Sequence, residues 1–268
     1  KALTTNYTLL EALKPQEKGL TENLSLFEKA ISMKSFGASE AREQLAQASF
    51  TIYRSAEVPQ DIKSSFVSLA DVGLQKQIEL VLGDARHHLF YASFLDRYSR
   101  YDDAIVHFEK ALELSPKKQS IYFGIVSSYL NKKENKKALE FARTAFELDQ
   151  EYGEARKIYA ATAIYNKDYI LAEELLVPVF GTTALNDDRI VLAYATVGIY
   201  DKVVEIWEGR VKDNPENSQF RLSLAAAYVG NGQRQKAIEE IKGLMEALPN
   251  FQEQGQYYIN EIRAGRNP

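Results

Sequence analysis

The sequence predicts an all-α solenoid made of antiparallel helix pairs, and two observations lead to that prediction. Ala104, Ala138 and Ala172 follow one another at intervals of 34 residues, and Val203 and Ala237 take the same place further along the chain. No segment alternates Val, Ile or Thr with polar residues for long enough to form a strand. A period of this length is typical of helical hairpins that stack and bury their apolar faces on their neighbours.

The clearest unit covers residues 86–117. Apolar residues recur at helical spacing in HHLFYASFLDRY, SRYDD interrupts the pattern, and AIVHFEKALEL resumes it. Pro116 then ends the unit, because proline cannot continue a helix. Ala92 on the first helix and Ala111 on the second are small enough for the two backbones to approach closely. Phe108 is predicted to fill the space between this hairpin and the next.

Four further units of the same kind follow the clearest one. They occupy residues 121–150, 153–181, 187–215 and 218–250. The segment FQEQGQYYINEIRAG then predicts one more helix. Its apolar residues are expected to cover the exposed end of the last hairpin, as the terminal units of solenoids require. These covering residues are Phe251, Tyr257, Tyr258 and Ile262.

The first 84 residues are also predicted to be helical, but their spacing is out of phase with the repeat. Proline and glycine separate the predicted helices from one another. They lie near Thr5–Leu13, Thr21–Met33, Ser39–Arg54 and Pro59–Leu82. We therefore expect three parts. They are irregular N-terminal helices packed on the solenoid (1–84), five repeats (85–250), and a capping helix with a tail (251–268).

The five units resemble tetratricopeptide repeats over about residues 84–250. Their small residues, their large apolar residue and their final proline agree in spacing, although Gln150 replaces a proline and Val203 replaces an alanine. The resemblance implies a right-handed superhelix in which the first helix of each pair lines a concave groove. It also implies a non-catalytic module that binds a protein or an extended peptide in that groove.

The register of the repeats places a set of mostly polar side chains on the inner faces of the first helices. The candidate groove residues are Arg86, Ser93, Asp96, Arg97, Phe123, Ser127, Asn131, Lys157 and Tyr165, followed by Asp188, Thr196 and Gln219. Arg97 and Asn131 lie on successive first helices, so both could reach one extended ligand. Arg97 can bind a carboxylate or phosphate through two parallel donors, and Asn131 can bind both sides of a peptide bond.

Two alternatives concern the same positions. Arg97 could instead pair with a neighbouring acid such as Asp96 or Asp102, as exposed arginines commonly do. A clamp for the C-terminal carboxylate of chaperones, known from tetratricopeptide-repeat proteins, is disfavoured. Leu89 and Ser93 stand where the resemblance would place the first Lys and Asn of that clamp.

The composition excludes several classes of function. The net charge of −4 over 268 residues provides no basic field for nucleic acid. Cysteine is absent, which excludes disulfides, thiolate chemistry and cysteine-ligated zinc. No apolar run reaches the length of about 18 residues that a membrane-spanning helix needs. The sequence contains no Walker, GxSxG or GxGxxG motif.

The histidines and acidic pairs are expected to be structural. His87 and His88 are adjacent and would point about 100° apart on a helix, so they cannot chelate a metal ion together. Paired acids such as Asp102–Asp103 and Asp187–Asp188 precede or begin predicted helices, where negative charge is favourable. We therefore expect no catalytic residue, no metal site and no cofactor in this chain.

A second resemblance concerns the order of three segments. SLFEKAISMKSFGASEAREQLAQA, then FLDRYSRYDDAIVHFEKALELSPKKQSIYFG and FELDQEYGEARKIYAATAIY, is similar to the soluble tail of bacterial membrane proteins of the O-antigen ligase or polymerase type. The resemblance implies a docking or regulatory tail of an enzyme that acts on lipid-linked polysaccharide. The catalytic residues would then lie upstream of Lys1, in a membrane domain to which this chain is tethered.

The compartment and the oligomeric state are left open by the sequence. Because the chain begins with Lys1 rather than Met, we interpret it as a fragment, with a membrane or targeting segment upstream as one alternative. We expect a soluble domain that lies either in the cytoplasm or, if it is a ligase tail, at the outer side of a bacterial inner membrane.

Overall fold

The computed structural model describes residues 2–267, and within them the chain forms α-helices and no strand. The α-helices are α1 (Ala2–Ala12), α2 (Leu20–Ser32), α3 (Gly37–Arg54), α4 (Gln60–Leu80), α5 (Ala85–Arg97), α6 (Tyr101–Leu114), α7 (Gln119–Asn131), α8 (Asn135–Leu148), α9 (Gly153–Tyr165), α10 (Tyr169–Phe180), α11 (Asp188–Val197), α12 (Tyr200–Asp213), α13 (Ser218–Gly230), α14 (Arg234–Ala247) and α15 (Gln252–Arg263), with a 3-10 helix at Pro249–Phe251. The predicted all-α solenoid fold is confirmed. The four helices predicted in the N-terminal part agree closely with α1 to α4.

The chain divides into two compact units at Lys132 and Lys133. In the first unit α1 packs on α2, α3 on α4, and α5 on α6, and α7 lies against α6. In the second unit α9 packs on α8, α10 and α11, while α12, α13, α14 and α15 each contact the helix before them. Short connections make consecutive helices antiparallel neighbours. Helix pairing is thus the common principle of both units.

Alanine occupies many of the fully buried positions of these helices. In the first unit they include Ala30, Ala41, Ala92, Ala104 and Ala111, and in the second Ala138, Ala142, Ala145 and Ala160. A methyl group takes little space between two backbones, so neighbouring helices can approach closely and fill the interior at high density. The small residues predicted from the repeat therefore have the structural role expected of them.

Large aromatic side chains fill the remaining space in the first unit. Phe27 and Phe66 are buried, and their rings meet edge to face with centroids 6.3 Å apart. Phe108 on α6 is only 1% exposed. Its ring lies against Gly124 of the following helix α7, where a Cβ would overlap the ring. The predicted role of Phe108 as the filler between successive helix pairs is confirmed.

A buried arginine connects three helices of the first unit. Arg42 on α3 donates one hydrogen bond to Gln77 on α4 (2.6 Å) and another to the carbonyl oxygen of Ile31 on α2 (3.1 Å). Gly73 leaves room beside its aliphatic stem. Burial lowers the pKa of the Arg42 guanidinium, because a charged group loses hydration there. Two neutral acceptors thus orient a cation inside the unit.

The last helix, α15, packs on α14, and its buried side chains differ in part from those expected to form a cover. Phe251 and Ile262 are buried, and Tyr258 is half-buried. Tyr257, by contrast, is 57% exposed. The expectation that Tyr257 takes part in the cover is therefore wrong. Ile259, which the sequence analysis did not single out, is buried on α15.

Replacing Phe108 by alanine is expected to lower the free energy of unfolding by about 3–5 kcal/mol, because it leaves a cavity that rigid helices cannot close. Val106→Ala on the same helix is the matched control, since Val106 is 55% exposed. That change is expected to stay within about 0.5 kcal/mol. Urea unfolding of both variants measures the difference. Equal midpoints for Phe108→Ala and the unchanged protein would contradict the packing described above.

Replacing Gly124 by alanine tests the same contact from the other side. The added methyl group would overlap the Phe108 ring, and overpacking of this kind costs about 1–3 kcal/mol. Gly209→Ala on α12 is the control, because no heavy atom lies within 4 Å of its Cβ position. That change should stabilise the protein by about 0.5–1 kcal/mol. Thermal or urea unfolding should shift the two variants in opposite directions, and a shared direction would count against the Phe108–Gly124 contact.

Candidate functional site

A groove runs between α3 and α5 in the first unit. Two adjoining cavities of about 380 and 480 Å³ both have Phe90 and Ser93 in their walls. The lining residues are Ser39, Glu43, Ala46, Gln47, Phe50 and Thr51 on α3 and Arg86, His87, Leu89, Phe90, Ser93, Phe94 and Arg97 on α5. We call this surface the α3–α5 groove. It brings together three of the candidate residues from the sequence, Arg86, Ser93 and Arg97.

An aromatic cluster fixes one end of the α3–α5 groove. The Tyr98 hydroxyl lies 2.9 Å from Ser49 Oγ, and one of the two donates a hydrogen bond to the other. The Tyr98 ring meets Phe50 and Tyr53 of α3 edge to face, at centroid distances of 6.1 and 5.1 Å, and is tilted against Phe94 at 4.8 Å. Because Tyr98, the residue directly after α5, is anchored on α3, the two helices keep a fixed separation here.

Arg97 extends over this aromatic cluster. Its guanidinium carbon lies 5.1 Å from the centre of the Phe50 ring, and that of Arg54 lies 5.8 Å from the same ring. The alternative expectation that Arg97 pairs with Asp96 or Asp102 is wrong. Asp96 accepts a hydrogen bond from Ser128, and Asp102 pairs with Lys132.

The charge of Arg97 is therefore unpaired within residues 2–267. Among the residues that the structure describes, no carboxylate forms an ion pair with Arg97 or with Arg54. The contact with the Phe50 ring holds the guanidinium in place by a cation–π interaction, which leaves its N–H donors available. Two exposed guanidinium groups on one ring make this end of the groove positive.

The opposite end of the groove carries both signs of charge. Arg86 forms a bidentate pair with Asp84, whose carboxylate also caps the start of α5 by accepting a hydrogen bond from the Arg86 backbone N–H. The Arg86 pair lowers the pKa of Asp84 to about 2. Glu43 on α3 lines the same cavity as Arg86. Within the described residues Glu43 has no ion-pair partner, so the groove has an acidic acceptor at this end.

The remaining candidates of the first unit lie on α7. Phe123, Ser127 and Asn131 are spaced four residues apart and therefore share one face of α7. Ser127 and Asn131 are exposed, and Phe123 is half-buried. Asp96 joins α5 to this helix, because the Ser128 hydroxyl donates to it at 2.6 Å. The Asp96 carboxylate is thus already engaged, and burial raises its pKa.

The candidates of the second unit are engaged in internal contacts. Lys157 pairs with Glu154 at 3.0 Å and lies 3.8 Å from Asp187, and Arg189 bridges the same two acids. Tyr165 is half-buried, and burial raises the pKa of its hydroxyl although Thr196 provides a hydrogen bond. Lys157 and its neighbours form a closed network of charges. The sequence could not distinguish this network from an open binding site.

The other two inner candidates of the second unit differ from each other in environment. Asp188 pairs with the buried Arg210 at 2.7 Å. Gln219 lies at the wall of a separate groove on α13.

The structure places two histidines together that the sequence analysis had not paired. His88 Nδ1 and His107 Nδ1 lie 3.1 Å apart, and the rings are stacked. Burial lowers the pKa of both imidazoles, which favours the neutral forms that can share one hydrogen bond. In the described residues no group of three or more His, Asp or Glu side chains could hold a metal ion.

The contribution of α3 to the groove was missed by the sequence analysis. Glu43, Gln47 and Phe50 belong to a first helix whose partner α4 contains Phe66 and Ala70, both fully buried. These two residues are separated by four positions, whereas Phe108 and Ala111 are separated by three. That difference hides the pair from a search with a fixed spacing. The run of small residues Ala38, Ala41 and Ala46 is the signal that could have revealed it.

Comparison with known proteins agrees with the geometry of the helix pairs. The family model described as tetratricopeptide repeat matches residues 119–152, which include α7 and α8. No curated protein sequence matches the chain. None of the helices in residues 2–267 is both long and apolar enough to cross a membrane.

Several solved structures resemble the chain. A tetratricopeptide repeat protein from Parabacteroides merdae is 18% identical with a TM-score of 0.53, over 77% of this chain and 80% of that one. PilF of Pseudomonas aeruginosa is 16% identical with a TM-score of 0.50, over 81% of this chain and 94% of that one. YrrB, described as a tetratricopeptide-repeat protein with an unusual peptide-binding site, is 21% identical over 66% of this chain and 92% of that one. Its TM-score of 0.42 is too low to support an argument.

The first two similarities show the fold of tetratricopeptide-repeat proteins, and the family model identifies one repeat within the chain. Proteins with this fold generally act as protein–protein interaction scaffolds and are generally non-catalytic.

Replacing Asp96 by asparagine is expected to raise the urea midpoint at pH 7. The folded pKa of Asp96 is raised by burial, so its favourable contribution is complete only below the unfolded pKa of about 3.9 and is lost as the pH rises through the folded pKa. Asparagine keeps an acceptor for Ser128 without the buried charge. The increase in the urea midpoint should become smaller as the pH falls towards about 4, where the aspartate becomes neutral. A lower urea midpoint for Asp96→Asn than for the unchanged protein at pH 7 would show that the charged carboxylate of Asp96 stabilises the fold.

Proposed function

We propose that this tetratricopeptide-repeat chain is a non-catalytic interaction module that binds an extended peptide segment in the α3–α5 groove, with a carboxylate of the peptide on Arg97. The observation that carries the proposal is the position of Arg97, whose guanidinium lies over Phe50 without a carboxylate partner in the described residues. An interaction role agrees with the scaffold function that is general for this fold.

The Arg97–Phe50 contact supports binding in two ways. The ring orders the guanidinium before a ligand arrives, which reduces the entropy lost on binding. The planar N–H edge can then donate two parallel hydrogen bonds to one carboxylate, a stronger arrangement than a single neutral bond. Arg54 on the same ring adds a second positive charge. This end of the groove should therefore prefer an acidic side chain or a terminal carboxylate.

The rest of the groove fits the backbone and an apolar side chain of the same peptide. Gln47 is exposed in the wall, and its amide offers one donor and one acceptor direction to a peptide bond. Leu89 and Phe90 are half-buried and provide apolar surface. Glu43 at the far end would accept from a basic side chain or a backbone N–H. The groove thus has a hydrogen-bond acceptor, Glu43, at one end and a donor, Arg97, at the other. This polarity favours one direction of the peptide.

The length of the α3–α5 groove sets the length of the peptide segment that it can bind. Arg86 and Arg97 lie eleven residues apart on α5, which corresponds to about 16 Å along a helix axis. An extended chain advances about 3.3 Å per residue, so about five residues span the groove. A longer ligand would continue towards the exposed Ser127 and Asn131 on the neighbouring α7. We accordingly keep Asn131 as a candidate for the end of a longer peptide.

The docking tail of a membrane O-antigen ligase or polymerase is compatible with such a module, and in that case the whole protein would be an enzyme although this chain is not. That interpretation rests on the sequence resemblance alone. No cavity or contact of the described residues favours it over a freestanding scaffold, and a membrane tether is part of the same alternative.

Selection from a random library of peptides against the full chain tests the proposal, because the selection identifies a ligand without assuming any particular partner. Enriched peptides should carry an acidic residue next to an apolar one. Arg97→Ala should weaken binding of the best peptide by at least about tenfold, corresponding to about 1.4 kcal/mol. Arg97→Lys should bind with intermediate affinity, because it keeps the charge but loses the bidentate geometry. Fluorescence anisotropy of the labelled peptide measures all three proteins.

Arg143→Ala is the matched control, because Arg143 is an exposed arginine outside the groove that pairs with Glu147 in the same helix. It should bind the peptide like the unchanged chain, and circular dichroism should show every variant to be folded. Equal affinity for Arg97→Ala and Arg143→Ala would remove the α3–α5 groove from the proposal. Selected peptides without acidic residues would contradict the role of Arg97.

A further inference from the structure

The second unit carries a cluster of lysines where two turns of the chain meet. One turn leads into α8 and the other joins α9 to α10. Together they line a cavity of about 530 Å³, whose wall contains one carboxylate, Glu134, and the four lysines Lys133, Lys136, Lys137 and Lys167. This wall is positive, although the net charge of the chain is −4. We call this surface the lysine cavity.

Three of the four lysines have no carboxylate partner. Lys137 pairs with Glu134 at 2.6 Å. Within residues 2–267, no ion pair involves Lys133, Lys136 or Lys167. Like charges around one space repel each other. An anion that lies among the three ammonium groups would replace this repulsion by attraction.

Two asparagines hold the two turns of the lysine cavity together. Asn135 Nδ2 donates to the carbonyl oxygen of Tyr165 at 3.1 Å, and Asn166 Nδ2 donates to the carbonyl oxygen of Asn135 at 2.8 Å. Asn166 also donates to the carbonyl oxygen of Thr162 in α9 at 2.9 Å. Because Asn135, Tyr165 and Asn166 belong to the wall, the two turns are fixed before a ligand arrives. This order reduces the entropy lost on binding.

Two of the lysines occupy a backbone conformation that favours glycine. Lys133 and Lys167 both have a φ of 61°. At the corresponding position of the next two turns, the chain has Gly198 and Gly232, with φ of 83° and 73°. A residue with a side chain is strained in this left-handed region, and strain of this kind is found mostly at functional sites. The two lysines therefore indicate a function that glycine could not perform.

We propose that the lysine cavity binds a phosphate monoester on a partner protein, that is, a phosphorylated side chain. Such a group carries about 1.5 to 2 negative charges at pH 7 and presents three strong acceptor oxygens. One compact group can therefore meet several ammonium groups at once, whereas a single carboxylate carries only one charge. A phosphorylated protein segment agrees with the scaffold function that is general for this fold.

The type of cation supports phosphate over carboxylate. A lysine ammonium is a compact point charge with three rotatable donors, and it binds a phosphate without needing one fixed orientation. The planar guanidinium of Arg97 in the α3–α5 groove instead matches the two oxygens of a carboxylate. The two sites thus differ in ligand chemistry, and they share no residue. The inference accordingly goes beyond the proposed peptide site.

Selection of peptides that each carry one phosphoserine, with the full chain as the target, provides the probe for this site. The unchanged chain should bind the best phosphopeptide at least about tenfold more tightly than the same peptide with plain serine. Fluorescence anisotropy of the two labelled peptides measures the ratio. Equal affinity for the phosphorylated and unphosphorylated forms would overturn the proposal.

Lys133→Gly/Lys167→Gly is the informative variant, because it removes two ammonium groups and relieves the backbone strain at the same time. Its thermal midpoint should equal or exceed that of the unchanged chain, whereas its affinity for the phosphopeptide should fall by at least about tenfold. Lys133→Arg/Lys167→Arg keeps both charges and should retain most of the affinity. A double glycine variant that binds the phosphopeptide like the unchanged chain would overturn the proposal.

Ser99→Gly is the matched control. Ser99 has the corresponding position in the turn between α5 and α6, with a φ of 60°, but it carries no charge. This variant makes the same backbone change as the double glycine variant and should bind the phosphopeptide like the unchanged chain. An equal loss of affinity in Ser99→Gly would assign the effect to the turns rather than to the ammonium groups, which would contradict the lysine cavity.

Two further comparisons separate the lysine cavity from a membrane and from the α3–α5 groove. Vesicles of phosphatidylcholine that contain phosphatidate present a phosphate monoester on a lipid surface. Binding to these vesicles but to no phosphopeptide would overturn the assignment to a partner protein. The double glycine variant should bind the acidic peptide of the α3–α5 groove like the unchanged chain, so each site can fail without the other. Phosphopeptide binding that Arg97→Ala abolishes but the double glycine variant retains would place the phosphate in that groove and contradict this proposal.

Discussion

The close approach of neighbouring helix backbones is the constraint on which the rest of this structure depends. Alanines such as Ala92, Ala104 and Ala138 are completely buried, and any larger side chain there would separate helices that now touch. The large Phe108 ring between α6 and α7 fits because Gly124 faces it, since a Cβ at that position would overlap the ring. Because small residues provide the packing between helices, other faces of the first helices need not supply it. Those faces can carry the side chains that form a groove.

The same helix-pair plan supports two surfaces of opposite character. In the first unit Arg97 lies on an aromatic ring and has no carboxylate partner in the described residues. Its guanidinium is therefore available to pair with a carboxylate of a ligand. In the second unit the corresponding polar side chains already neutralise one another, as the pairing of Lys157 with Glu154 shows. The groove further along the second unit avoids charge altogether. Differences in the pairing of charged side chains, rather than in backbone fold, thus separate the α3–α5 groove from these surfaces of the second unit.

The fold could be predicted largely from the sequence, because repeat spacing reports directly on helix packing. The helices, the buried alanines and the position of Phe108 follow from the 34-residue period. The pairing of polar side chains could not be predicted in this way. Ser128 and Asp96 are separated by 32 residues and meet only because α5 and α7 are neighbours. Likewise, the position of Arg97 over Phe50 depends on the separation of α3 and α5, which the aromatic cluster around Tyr98 fixes.

The most direct measurement of the central claim is a crystal structure of the chain with a peptide obtained by selection. The account predicts an extended peptide between α3 and α5, with a carboxylate accepting two hydrogen bonds from Arg97 and the guanidinium still over Phe50. A peptide bound instead on the faces of α4 and α6 that lie away from this groove would contradict the account. So would a peptide in the α3–α5 groove whose carboxylates do not contact Arg97.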